Sequence, residues 1–235
     1  MMNRPYVILH MLISIDGKIT GKYMDEPTTI ALTEEYYRIN REYKGDAYCC
    51  GRVTMEGSFT GGAKLDLTPF KNIAIEHKDK IQKKWGYYAI SIDPHGRLGW
   101  YGSEIKDYDI GYDNAHIIEI LTDNVSDEYI AFLESKGISY LFCGNEKVDV
   151  NLMLKKLYEG FGIKTIMLEG GGLTDTLFLN AGVIDELSLV VVPTIDGDCE
   201  GKDLFSGKTL NILEQYKIKD VKLLPNNGLW LNYVK

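Results

Sequence analysis

Residues that could hold a charged ligand fall in three short segments, each directly after an apolar run. In Leu168-Glu169-Gly170-Gly171-Gly172-Leu173-Thr174-Asp175 the run gives way to three glycines and then to a helix-like stretch. Glycines let the backbone approach a ligand and take positive φ, while a helix start offers unpaired N–H groups and a partial positive charge. That chemistry suits a phosphate or pyrophosphate, and the same glycines equally suit a tight strand-to-helix turn with no ligand. No Gly-Lys-Ser/Thr follows and the spacing is not G-x-G-x-x-G, which excludes a Walker loop and the dinucleotide fingerprint.

Gly51-Arg52-Val53-Thr54 is the second segment, with a guanidinium for bidentate phosphate contact and a hydroxyl to donate beside it. The third is Ser14-Ile15-Asp16-Gly17-Lys18-Ile19. There Asp16 is a candidate proton donor or substrate anchor and Lys18 a candidate phosphate partner. Asp-Gly is also a common turn pair, and turn chemistry alone favours that reading. Asp16 either accepts hydrogen bonds as a carboxylate or, alternatively, is left partly protonated by desolvation and a nearby Glu169.

Other chemistries find less support. There is no G-x-S-x-G elbow, and no cysteine has a histidine at a suggestive position. His10, His77, His95 and His116 lack the i, i+4 spacing of a helical metal site. Cys49, Cys50, Cys143 and Cys199 show no C-x-x-C spacing and read as reduced core thiols.

The elements that must position these segments alternate along the chain. Tyr6–Ile13, Asp46–Gly51, Ile73–Ile75, Ala89–Ile92, Ile117–Leu121, Ser139–Cys143, Thr165–Leu168 and Leu187–Pro193 read as buried strands. Helices are expected from a cap at Thr33, from Arg52, from Ser126, from Asp149 and after the glycines. The clearest carries Val150, Met153, Leu154, Leu157 and Phe161 on one face. It joins two strands as a parallel crossover. Val221–Leu224 and Leu229–Tyr233 form a C-terminal hairpin around Pro225–Gly228. The expected fold is α/β, a single domain over 1–235. Its central mixed, mostly parallel sheet has helices on both faces and an antiparallel C-terminal hairpin. Surface insertions are expected around 58–69 and 95–114.

The 235 residues carry a formal charge of −8, with 45% hydrophobic and 26% charged side chains. That balance belongs to a soluble globular chain, and its acidity disfavours nucleic-acid binding. Arg4 followed by Val7–Ile13 lacks a small-residue cleavage site, and no apolar run approaches the ~20 residues of a membrane span. No membrane partner and a cytoplasmic location are expected.

Taken in order, the three segments resemble the reductase domain of riboflavin-pathway pyrimidine reductases, the C-terminal domain of the bacterial bifunctional deaminase/reductase, within the dihydrofolate-reductase-like superfamily. The matching residues are Pro5-Tyr6-Val7 leading to Ser14–Ile19, then Asp46-Ala47 through Gly51–Thr54. The most specific run from Leu168–Gly172 through Ala181-Gly182-Val183-Ile184-Asp185-Glu186-Leu187 to Val192-Pro193 and Gly197. The resemblance implies NADPH as hydride donor, a homodimer, and a phosphoribosylamino pyrimidine whose ribosyl group is reduced to ribityl. It also implies cofactor contacts at Leu12, Arg52, Thr54, Gly170, Gly171, Gly172, Leu173 and Thr174, and substrate contacts at Asp16 and Glu169. Ser58–Asn114 departs from the family. Where many members hold the substrate phosphate with arginines, Gly57–Lys64 offers only Lys64 as a cation, so Lys18 or Lys64 takes that role here. A reductase of another small substrate, pterin-like or a carbonyl or imine compound, and a non-catalytic nucleotide-binding module remain the alternatives.

Overall fold

The structure, a computed structural model, describes residues 3–198, 200–208 and 212–235. Its contacts group into two compact units, one built from Asp46–Ile166 and the start of the chain, the other from Tyr6–Gly45 and Met167–Lys235.

In the first unit, strands β2 (Ala47–Gly51), β3 (Tyr88–Ile92), β4 (His116–Leu121) and β5 (Ser139–Phe142) pair in parallel, in the order β5-β4-β3-β2. Nearly every residue of these strands is buried, which explains their unbroken apolar runs. Helix α2 spans Arg52–Ser58. Helix α3 (Asp127–Lys136) starts where the Ser126 side chain accepts a hydrogen bond from the Tyr129 amide, and ends at left-handed Gly137. Asp149 caps α4 (Val150–Lys156) in the same way, through the Leu152 amide. Val150, Met153, Leu154, Leu157 and Phe161 are all buried, so the apolar stripe faces the core. β6 (Thr165–Leu168) follows, but β4, β3 and β2 separate it from β5, so this crossover is a long one.

In the second unit, β1 (Tyr6–Ser14) pairs in parallel with β7 (Glu186–Val192), with Leu12 opposite Val190. β9 (Leu229–Val234) runs antiparallel to β7, and β8 (Lys217–Leu223) forms the antiparallel edge. Helix α1 (Pro27–Tyr43) buries Leu32 and Ile39 in a core with Leu12, Val190, Val192 and Trp230. Truncating a fully buried leucine such as Leu32 to alanine costs about 2–5 kcal/mol. Helix α5 spans Gly172–Asn180. β6 contributes residues to both units, Thr165 and Ile166 to the first and Met167 and Leu168 to the second. The expected mixed sheet, mostly parallel with an antiparallel C-terminal hairpin, is what the chain forms.

Two local expectations fail. The helix expected from Thr33 begins at Pro27, after Glu26, and Thr33 lies inside it with its hydroxyl donating to the Thr29 carbonyl at 3.0 Å. Proline, with φ already suited to a helix and no N–H to leave unpaired, favours the first position. Ile73–Ile75 forms no strand. Ile73 is 40% exposed and the Ile75 amide donates to Asp127, so the apolar alternation has no face to bury. The segment 95–114 holds no helix or strand, yet it buries Leu98, Trp100, Ile105 and Tyr112. Cys49, Cys50 and Cys143 are buried free thiols, while Cys199 lies outside the described residues. Among the described residues no helix is long and apolar enough to cross a membrane.

Candidate functional site

At the carboxyl end of β1 the chain turns through Ser14–Lys18. The Ser14 hydroxyl donates to Asp16 at 2.6 Å and accepts from the Lys18 amide at 2.9 Å. Asp16 also accepts the backbone amides of Asp196 and Gly197 at 3.2 and 3.1 Å. These donors, Ser14 first, hold the exposed Asp16 carboxyl down at about 2. Of the two alternatives for Asp16, partial protonation is overturned: Asp16 is ionised near neutral pH, because hydrogen bonds to the charged form outweigh its slight desolvation. It locks the turn to the chain that follows β7.

Lys18 is tied down as well, its ammonium bonding Asp203 at 2.7 Å. The chain around Asp203 links this turn to the glycines. The Ile19 amide donates to the Lys202 carbonyl, the Leu204 amide to Gly17 and the Ser206 amide to Gly172.

The glycine turn explains itself residue by residue. Gly170 is buried at φ +65, and a Cβ there would lie 2.6 Å from an Asp175 carboxyl oxygen. Gly172 is buried too, and a Cβ would meet the Asp203 carbonyl at 2.4 Å. Both positions need glycine for packing alone. Gly171 is the half-exposed member, at the N-cap of α5. The amides of Thr174 and Asp175 bond its carbonyl at 2.8 and 3.1 Å. Among the described residues the N–H groups of Gly172 and Leu173 have no acceptor within the chain. Leu173 is 71% exposed. Just before the turn, buried Glu169 accepts a hydrogen bond from the Asn40 side chain of α1.

The same unit has a cleft of about 310 Å³ that sequence reasoning missed. Lys22, from the short 3-10 turn Lys22–Asp25, lines it with Glu26 and Thr28 at the start of α1 and with Thr194 and Asp196 from the chain after β7. Asp196 is the neighbour whose amide reaches Asp16. Pro27 marked a helix start here, and that was the available signal.

In the first unit, Arg52 opens α2 directly after β2 and pairs with Glu56 at 2.5 Å. Val53 is 70% exposed and Thr54 half-buried. Because Gly51 pairs with Ile92, Arg52 and Asp93 leave adjoining strand ends. Asp93 is buried and accepts the amides of Arg97 and Leu98 at 2.5 and 2.8 Å. Burial raises its carboxyl above the ordinary value, and the charges of Arg52 and Arg97 partly offset that. Arg97 is thus an exposed guanidinium beside these strand ends, where Arg52 is half-buried, and it was missed in the sequence although Gly96-Arg97 repeats the Gly51-Arg52 pair after a strand. Lys64 is exposed on the loop after α2.

The expected ligand contacts therefore divide. Leu12, Asp16, Lys18, Glu169 and Gly170–Thr174 belong to the second unit, and Arg52, Thr54 and Lys64 to the first.

Residues 107–226 match the model of the RibD C-terminal domain, which is half of the chain. The chain belongs to the RibD C-terminal domain family. It is 24% identical over 209 residues to a Methanothermobacter thermautotrophicus protein named 2,5-diamino-6-ribosylamino-4(3H)-pyrimidinone 5′-phosphate reductase, covering 88% of this chain and 87% of that one. A pyrimidine reductase-like protein from Corynebacterium diphtheriae shares its fold, with a TM-score of 0.68 at 17% identity over 99% of this chain and 92% of that one. Acinetobacter baumannii RibD gives 0.65 at 19% identity over 99% of this chain. This chain spans 58% of that longer protein.

Proposed function

We propose that this RibD-family chain is an NADPH-dependent oxidoreductase of riboflavin biosynthesis. Its substrate is 2,5-diamino-6-ribosylamino-4(3H)-pyrimidinone 5′-phosphate or a close phosphoribosylamino pyrimidine, and the ribosyl group becomes ribityl. The observation that carries the reading is the glycine turn, where Gly171 and the unpaired amides of Gly172 and Leu173 present an anion-ready helix start. That donor set fits a cofactor pyrophosphate. NADPH supplies the hydride when bound, and the protein supplies orientation and exclusion of water. In the second unit Gly170–Thr174 and Leu12 would hold the cofactor, and in the first unit Thr54 offers a hydroxyl at the start of α2. Arg52 and Arg97 would hold a phosphate monoester, the group that distinguishes NADPH from NADH.

Asp16 and Glu169 would accept hydrogen bonds from substrate amino and hydroxyl groups. In the second unit Lys22, exposed and lining the cleft, joins Lys18 as a cation for the substrate phosphate. Lys18 must first release Asp203, so Lys22 is the more available. A homodimer fits β8, an edge strand whose Ile218, Val221 and Leu223 are 63%, 48% and 84% exposed. A cytoplasmic location accords with a metabolic reductase. Fluorescence titration with NADPH and NADH tests the cofactor reading. Dissociation constants below millimolar, tighter than about −4 kcal/mol, support it, and no binding of either cofactor overturns it.

A further inference from the structure

Asp175 sits in the first turn of α5, fully buried, with both carboxyl oxygens lacking a hydrogen-bond partner among the described residues. A carboxylate in a first helical turn is ordinarily an exposed complement to the helix dipole. This one is instead pressed beneath the glycine turn, so close that a Cβ on Gly170 would lie 2.6 and 2.9 Å from its two oxygens. Sealed from water, it takes up a proton far more readily than an ordinary aspartate, and burial is the cause. The titratable groups of the chain packed around the turn are Glu169, bonded by Asn40, and Asp203, paired with Lys18. Neither adds to the effect of burial.

A neutral carboxyl here has two consequences. It fills the space under Gly170, which fixes the height of the turn above the helix. It also places no negative charge in the same first helical turn as the acceptor-free amides of Gly172 and Leu173. We infer that Asp175 is a positioning residue for the anion-binding turn, acting from beneath Gly170 as a buried, unpartnered spacer and not as a ligand contact. The inference rests on the reading of this turn as a cofactor site.

The test compares Asp175→Asn, a neutral group of the same shape, with Asp175→Ala, which removes the spacer. NADPH affinity and steady-state constants are measured for both at pH 7, with folding verified by circular dichroism and thermal melting. Asp175→Asn should keep wild-type affinity within about twofold. Asp175→Ala should weaken NADPH about tenfold and raise its KM with little change in kcat, while remaining folded. Asp175→Asn losing as much affinity as Asp175→Ala would overturn the inference, since charge would then be what matters. Both variants binding like wild type, with only their melting temperatures changed, would overturn it too. A wild type that binds no NADPH removes the cofactor reading, and this inference with it.

Discussion

The two strand-to-helix junctions that drew notice for the same reason, glycine at the end of a buried strand, differ in how they use it. At Gly170–Gly172 two of three glycines are consumed by packing, against Asp175 and against the Asp203 carbonyl. Only Gly171 is half-exposed, and the amides of Gly172 and Leu173 are left without an acceptor among the described residues. At Gly51–Thr54 the chain enters α2 with Val53 exposed and Arg52 reaching Glu56, and side-chain charge dominates. The lesson is that one junction offers backbone donors held in place by neighbours, and the other offers guanidinium groups on side chains. Geometry should fail first at the former, and specificity at the latter.

Gly170→Val should have the largest effect. It forces a β-branched residue into positive φ and onto Asp175, by a combination of strain and overpacking worth about 2–4 kcal/mol. Chemical denaturation reads the loss directly, and a change under about 0.5 kcal/mol would contradict the packing account. Gly171→Val should leave the fold intact and lower NADPH affinity by about 100-fold, because its side chain obstructs backbone approach at the half-exposed position. Unchanged affinity by fluorescence titration would return the turn to a purely structural role.

The junction in the first unit gives a subtler signature. Arg52→Ala and Arg97→Ala should each weaken NADPH by about 1.5–3 kcal/mol and NADH by much less. Equal losses for the two cofactors would mean that the arginines serve the shared pyrophosphate or nothing specific. Asp16→Asn should have the smallest effect. Held down at about 2, Asp16 is ionised throughout the working range and cannot donate a proton near pH 7. Its depressed value means that any stability it confers is present above the ordinary aspartate range and is lost only as pH falls through about 2. Turnover of Asp16→Asn should stay within about tenfold of wild type, with the change in the substrate KM. A fall of about 100-fold in kcat would restore Asp16 as a proton donor.

Much of this was legible in the residues. β1 to β5 announced themselves because strands buried on both faces read as continuous apolar runs, and Ser126 and Asp149 marked helix starts through cap chemistry. α1 was misplaced because its N-cap is Glu26, which makes no side-chain cap bond, while Thr33 imitates one. Ile73–Ile75 misled because alternation describes a half-buried strand only where a sheet is present to bury it. The glycine turn and Arg52 were visible as residue types. Arg97 and Asp175 were not, since one follows a strand by five residues and the other looks like an ordinary first-turn acid until its burial is known. The ionised state of Asp16 depended on the amides of Asp196 and Gly197, 180 residues away in sequence, and no local pattern carries that.

The central claim is tested most directly by following NADPH absorbance in the presence of 2,5-diamino-6-ribosylamino-4(3H)-pyrimidinone 5′-phosphate, with the product identified by mass. The account predicts one NADPH consumed per substrate and a product two hydrogens heavier, its ribosyl group opened to ribityl. Tight NADPH binding with no turnover of this substrate would contradict it and point to a reductase of another small molecule.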